Sequence, residues 1–341
     1  MPPRTKSRAA KSAQATHSRF ANVNGTRLHY LAAGEGDPVV LLHGYAETSH
    51  MWLPLIAELA TTHTLIAPDL RGAGQSSTPA DGYTKAAMAQ DIHALVRKLG
   101  FERIQIVGHD IGLMVAYAYA AQYPDEVDRI ALMDAFLPGV GNWRDVWLMR
   151  DLWHFHFYGK TPLALVRGRE RIYFEHFWND FAASPAHSVP ERDRRLYAKA
   201  YARPGAMRSG FEYFRAFEQD ANDFARFAQT PLSMPMLVLT GEKLPAISSF
   251  NRVDLSQPTL KAWSFAIPAT GSWKKRLIRS SPNLSNFSLA KPRYPAPSLR
   301  SRPVSRSACK TGFSVNSTRW TGCSGQFTEN ATLQARGKDC L

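Results

Sequence analysis

The stretch Arg103-Ile104-Gln105-Ile106-Val107-Gly108-His109-Asp110-Ile111-Gly112 decides the fold. Its first five residues form a β-rich run, and an alanine-rich helical stretch follows its last. Gly108 and Gly112 stand two places before and two places after Asp110. Small residues there let a strand turn sharply into a helix without clashes, which pushes the central side chain out above the sheet edge. The helix N-terminus beside it favours negative charge. Serine usually holds the centre of such a turn, but here a carboxylate does, and the chain has no Gly-x-Ser-x-Gly. An aspartate so placed can attack an electrophilic carbon and form an ester that water must then cleave. An aspartate that merely caps the following helix would carry the same local signature.

The flanking sequence repeats the strand–helix theme. Pro38-Val39-Val40-Leu41-Leu42 ends in His43-Gly44, and Thr64-Leu65-Ile66-Ala67-Pro68 ends in Asp69 and the turn Arg71-Gly72-Ala73-Gly74. Leu28-His29-Tyr30-Leu31 is only weakly strand-like. Tyr83 to Leu99 has helical spacing and stops at Gly100. Arg129-Ile130-Ala131-Leu132-Met133 is a further strand, ending at Asp134. Strands alternating with helices of this length imply βαβ units and a mostly parallel sheet. Residues 139–230, rich in Trp, Phe, Tyr and Arg, keep helical periodicity without a convincing strand, and Pro235 to Gly241 returns to strand character.

The expected organisation is a basic disordered arm over 1–20, an α/β core over 21–138, a helical cap over 139–230, a core strand over 231–243 and a tail over 244–341. The tail carries sixteen Ser and eight Pro, and periodicity does not persist in it. The arm has no apolar segment and so is not a secretory signal; an organelle transit peptide is the alternative to a solvated arm. No run approaches the ~18 apolar residues of a membrane span.

The formal charge of +14 would suggest nucleic acid or an anionic membrane as partner, but its distribution argues otherwise. The tail alone is +12 and the arm +5, which leaves 21–243 at −3. No basic globular surface is expected. The three cysteines, Cys309, Cys323 and Cys340, all lie in the tail and form neither a disulfide framework nor a metal site.

Other residues fit the chemistry of the Asp110 turn. A loop at His43-Gly44-Tyr45 can bring the Tyr45 N–H beside that of Ile111, giving two donors for a developing oxyanion. Asp134, at the carboxyl end of its strand, can orient a catalytic imidazole or be a surface turn residue. His154, in Trp153-His154-Phe155-His156-Phe157, can donate to a substrate or pack in an interface; His156, two places on, points elsewhere on a helix. Tyr213, in Phe211-Glu212-Tyr213-Phe214-Arg215, is a phenol donor or core filler.

Together these motifs resemble the α/β-hydrolase fold family and, within it, the Asp-nucleophile epoxide hydrolases. The resemblance covers about Phe20 to Lys243. It implies an α/β-hydrolase core with a mostly parallel sheet and a helical cap after the sixth strand, with the last strand and helix missing. It implies Asp110 as nucleophile, Asp134 as charge-relay acid where the family has Glu, His154 and Tyr213 as donors to the epoxide oxygen, and Tyr45 and Ile111 as oxyanion amides. It implies a small-molecule substrate, no cofactor, no metal, no nucleic acid, no membrane, a cytoplasmic location and a chain able to pair as a homodimer. Dehalogenases share the fold, but haloalkane dehalogenases carry Trp where Ile111 stands. Fluoroacetate-type dehalogenases carry Arg after the nucleophile, where this chain has Ile111-Gly112-Leu113-Met114.

The family also places a His late in the chain to activate the ester-cleaving water. Of the eleven His here the last is His187. Either the tail is a genuine replacement or the coding sequence changes frame just after Lys243; sequencing the gene across that point decides. The expected activity is impaired, and an inactive binding scaffold of the same fold is the rival. A tail that binds nucleic acid or lipid is a third reading, one that salt-sensitive retention lost on deleting 244–341 would support.

Overall fold

The computed structural model describes residues 15–182 and 184–239 and the backbone of a strand at Leu260–Ala262. Among the described residues eight strands form one sheet: β1 (His17–Val23), β2 (Thr26–Ala33), β3 (Asp37–Leu42), β4 (His63–Pro68), β5 (Ile104–His109), β6 (Val127–Met133), β7 (Met236–Leu239) and β8 (Leu260–Ala262). Their order is β1-β2-β4-β3-β5-β6-β7-β8. The pairings β1–β2 and β2–β4 are antiparallel and the rest are parallel.

Three expectations need correction. The arm expected over 1–20 already enters β1 at His17, because Ser18 to Val23 pair along Thr26 to Leu31. The weak run at 28–31 is the middle of an eight-residue strand, held on both sides by partners rather than by its own alternation. The last strand, expected to be missing, is supplied by Leu260–Ala262, which pairs with Met236 to Val238. The place of a closing helix lies outside the described residues.

Helices pack against the sheet: α1 (Leu53–Leu59), α2 (Lys85–Lys98) and α3 (Ile111–Gln122). In α3 every residue from Ile111 to Ala120 is buried, and its alanines admit the close approach of neighbours on all sides. The Thr84 side chain caps α2 by accepting from the Ala87 N–H, and Arg97 and Lys98 complement its C-terminal dipole. Between β6 and β7 every regular element among the described residues is helical: α4 (Trp143–Trp147), a 3₁₀ segment Arg150–His156, α5 (Lys160–Val166), α6 (Glu170–Glu175) with a π-helical turn at His176–Asp180, α7 (Pro185–Ser188), α8 (Glu191–Tyr201), α9 (Ala206–Arg215) and α10 (Phe217–Phe227). This is the cap expected after the sixth strand.

A buried ion pair ties the cap to the core. Lys85 Nζ, at the start of α2, lies 2.7 Å from Asp220 Oδ2 of α10, and both side chains are fully buried. The Lys85 N–H donates to Asp220 Oδ1 at 2.8 Å, and Lys85 Nζ also donates to the Tyr213 carbonyl. Among the described residues no helix is long and apolar enough to cross a membrane.

Candidate active site

The glycines of the strand–helix turn act through close approach. A Cβ on Gly112 would lie 2.4 Å from the Leu42 carbonyl oxygen, and one on Gly108 would lie 2.2 Å from that of Gly112. Asp110 between them has φ +51° and ψ −121°, a conformation costly for any residue with a side chain. The turn thus holds the carboxylate at the carboxyl end of β5 and the N-terminus of α3.

The loop after β3 reaches the same place. His43 is fully buried; its Nε2 accepts the Leu70 N–H at 3.0 Å, so Nδ1 carries the proton and donates to the Gly44 carbonyl at 2.7 Å. Burial pushes its imidazole pKa down, which keeps it neutral. So braced, Gly44 packs against Asp110: a Cβ at Gly44 would meet the Asp110 Cβ at 2.7 Å. The next amide, Tyr45 N–H, donates to Asp110 Oδ1 at 2.7 Å, and the Ile111 N–H, at the start of α3, acts electrostatically to favour the ionised carboxylate. Of the two amides expected from the sequence, that of Tyr45 hydrogen-bonds the carboxylate and that of Ile111 stands directly after it in the chain. Burial pushes the Asp110 pKa up, opposed by His109 and by those two N–H groups.

Sequence reasoning missed the pair beside it. His109 Nδ1 lies 3.0 Å from Glu47 Oε2, in the loop that carries Tyr45. Burial alone would lower the imidazole, but Glu47, with Asp110 and Asp134 behind it, raises it to about 9. An imidazolium thus adjoins the candidate nucleophile. A polar residue directly before Asp110 and an acid two after Tyr45 were the available signals.

Asp134 follows β6 directly, with φ +61° and its N–H bonded to the Leu239 carbonyl at 3.0 Å. Its carboxylate acts electrostatically on His109, so it belongs to this cluster. The late imidazole that the family would set beside it has no counterpart in the sequence, whose last His is His187.

The cap closes over the Tyr45 ring. That ring meets Phe214 at 4.7 Å, Phe177 at 5.0 Å, Tyr201 at 5.6 Å and Tyr213 at 6.5 Å between centroids. His154 packs on two of the same rings, Phe177 at 4.6 Å and Phe214 at 5.5 Å. Burial, with His176 and His156 adding to it, pushes the His154 imidazole down to about 2, so it is neutral. His154 points inward while His156 is exposed, its Nε2 2.9 Å from the Trp147 carbonyl. The Tyr213 hydroxyl is engaged: it donates to the Arg71 carbonyl at 2.6 Å. Tyr201, which the sequence reading passed over, is buried within electrostatic reach of Asp110, and its hydroxyl proton has no acceptor among the described residues.

The sequence profile of the alpha/beta hydrolase fold matches residues 37–262. A soluble epoxide hydrolase from Corynebacterium sp. (strain C12) is 34% identical over 67% of this chain and 82% of its own length. A fluoroacetate dehalogenase from Burkholderia sp. is 29% identical over 73% of this chain and 85% of its own. The solved structure of the epoxide hydrolase CorEH superposes with a TM-score of 0.72 at 29% identity, covering 80% of this chain and 98% of that one.

Proposed function

The chain belongs to the α/β-hydrolase fold family as an epoxide hydrolase-like hydrolase, and from that premise we propose that it opens epoxides through an alkyl ester on Asp110. The observation that carries the reading is the Tyr45 N–H on a carboxylate held at the strand–helix turn, with the Ile111 N–H next in the chain favouring its ionised form. One carboxylate oxygen is held; the other attacks a ring carbon. The carbon–oxygen bond of the epoxide breaks, and its oxygen takes a proton from a cap donor. When water later attacks the ester, the same two amides face the oxyanion.

In this reading His154 is one donor. Tyr201 is the better second donor in the conformation seen, because the Tyr213 hydroxyl is committed to Arg71. Asp134 stands as the relay acid for the ester-cleaving base. The sequence offers no His beyond His187 for that base, so we expect ester cleavage slowed by about 10²–10⁴ relative to a chain that has one. Small-molecule turnover in the cytoplasm, by a chain able to form a homodimer, belongs to the same proposal.

A second reading has support in the similarity to a fluoroacetate dehalogenase. Against it stand Ile111-Gly112-Leu113-Met114, which offer neither the Trp nor the Arg expected of dehalogenases there.

Intact mass of the folded chain after incubation with styrene oxide and a small epoxide panel tests the proposal. The expected result is an adduct of one epoxide mass that persists and is absent in Asp110→Ala. Rapid multiple turnover to diol would overturn the slow-cleavage part. No adduct and no diol from folded protein would overturn the epoxide reading, and release of fluoride from fluoroacetate would favour the second.

A further inference from the structure

Behind His154 a line of hydrogen bonds runs outward to solvent. His154 Nδ1 lies 3.2 Å from His176 Nε2, and His176 Nδ1 lies 2.7 Å from Asp180 Oδ2. Exposure rises along it: His154 is 4% exposed, the His176 side chain 11% and that of Asp180 63%. Residues His176 to Asp180 form the π-helical turn that follows α6, an irregularity that recurs at functional sites. Nothing in the chemistry above uses His176 or Asp180.

The proton positions follow from what each group can do. An ionised carboxylate only accepts, so Asp180 holds a proton on His176 Nδ1. With that single proton, His176 Nε2 must accept from His154 Nδ1–H, and His154 Nε2 is then bare. With a second proton, His176 Nε2–H donates to His154 Nδ1, and the one proton of His154 sits on Nε2. The outer imidazole therefore dictates which nitrogen of the inner one can donate.

We propose that His176, held by Asp180, is the positioning residue that arms His154, and that its imidazolium supplies, through His154, the proton taken by the epoxide oxygen. The inference rests on the epoxide-opening reading. The step balances. Asp110 forms a bond to the ring carbon, the carbon–oxygen bond breaks with its electron pair on oxygen, and that oxygen takes the His154 Nε2 proton. His154 Nδ1 then takes the proton of His176 Nε2, which leaves His176 neutral with Nδ1–H on Asp180. One proton from water restores the starting state.

The relay answers a chemical difficulty. A deeply buried His154 does not hold a second proton near neutral pH. A lone neutral imidazole would have to become an anion to give its proton away. With His176 behind it, His154 is neutral before and after. Among the described residues, His154 faces His176 and His156, and His176 faces His154 and Asp180 amid the rings of Trp153, Phe177 and Phe181. His156 points away to the Trp147 carbonyl.

Imidazole ¹⁵N shifts of the histidine-labelled full chain, from about pH 5 to pH 9, test the relay without any substrate. His154→Gln and His176→Gln assign the resonances. The His154 proton is expected on Nε2 while His176 is doubly protonated and on Nδ1 once it is not, with that preference weakened in Asp180→Asn. In parallel, the rate of Asp110 alkylation by styrene oxide, read by intact mass, is expected to fall at least about tenfold as His176 loses its proton. His176→Gln offers His154 an N–H but no titratable proton, so its rate should be lower and lose that pH dependence. A His154 tautomer that stays fixed across the range, or a His176→Gln variant with the wild-type pH profile, overturns the proposal. If no epoxide alkylates the wild-type chain, the epoxide reading fails and the proton-supply step falls with it, while the nitrogen shifts still decide the arming.

Discussion

Asp110 and Asp134 leave neighbouring strands in the same way. Each stands just beyond its strand at positive φ, +51° and +61°. Each ties its N–H to the last carbonyl of the next strand over, Asp110 to Met133 and Asp134 to Leu239, both at 3.0 Å. The backbone that carries both side chains is thereby fixed at the carboxyl edge by strained positive φ and a hydrogen bond to the neighbouring strand.

That strain is measurable by comparing substitutions that share the loss of the carboxylate. Asp110→Gly should be more stable than Asp110→Ala by about 1–2 kcal/mol in urea unfolding, because only alanine keeps a Cβ at positive φ. The same ordering is expected for Asp134→Gly over Asp134→Ala. Equal stabilities at either position would show that the turn relaxes to an ordinary conformation. Neither Asp110 variant should form an adduct with an epoxide.

Glu47 and His109 give the chain a pH dependence with a definite sign. The His109 imidazole is raised to about 9, above its unfolded value of about 6.5. Its stabilisation is therefore complete below the unfolded value and lost as pH climbs through about 9. Glu47→Gln removes the charge that raises it most. The loss should then set in at lower pH, and the variant should trail the wild type by roughly 1–3 kcal/mol at pH near 6. Urea midpoints at about pH 6, 8 and 10 check this; a constant difference at every pH would refute the pairing.

The parts of the site that were legible in the sequence are those where backbone geometry restricts residue choice. Gly108, Asp110 and Gly112 announce the turn because a Cβ at either glycine would strike backbone. Tyr45 was found as an amide, through the His43-Gly44 step before it, and Asp134 through its place at a strand end. Contacts made by side chains across long separations left no such mark. Glu47 and His109 are 62 positions apart, and nothing in either neighbourhood names the other. The motif around Tyr213 leaves it a donor or core filler and only the resemblance makes it a donor; its hydroxyl bonds a carbonyl 142 positions away, while Tyr201 stands in an unremarkable helix. The edge strands are faint in the sequence for a related reason: β1 and β8 exist through their partners, and their own patterns are weak.

The buried pair Lys85–Asp220 should behave asymmetrically under mutation. Burial pushes the lysine pKa down and the aspartate pKa up, each charge being held by the other. Asp220→Ala strands an ammonium in a fully buried site, at a cost of about 3–5 kcal/mol. Replacing both, as Lys85→Met with Asp220→Leu, should recover much of that loss, since no unpaired charge remains. Denaturant unfolding of the two variants decides; a double variant as unstable as the single one would mean the backbone bond from Lys85 N–H to Asp220, rather than the ion pair, is what matters.

Tyr201 and Tyr213 sit on the same ring of Tyr45 but should separate cleanly as phenylalanines. Tyr213→Phe leaves the buried Arg71 carbonyl without its donor, so it should cost about 1–3 kcal/mol of stability. Any fall in alkylation rate should track the loosening of the loop at Arg71. Tyr201→Phe removes a hydroxyl proton that no acceptor among the described residues takes, so stability should change little. Alkylation of Asp110 should instead slow by about 10²-fold, the scale of one lost proton donor at an opening ring. Unfolding curves read beside single-turnover adduct formation give both numbers for each variant. If Tyr213→Phe lost the rate and kept its stability while Tyr201→Phe did the reverse, the Tyr213 hydroxyl would have to leave Arg71 when substrate enters. The donor pair would then be His154 and Tyr213, as the motif alone suggests.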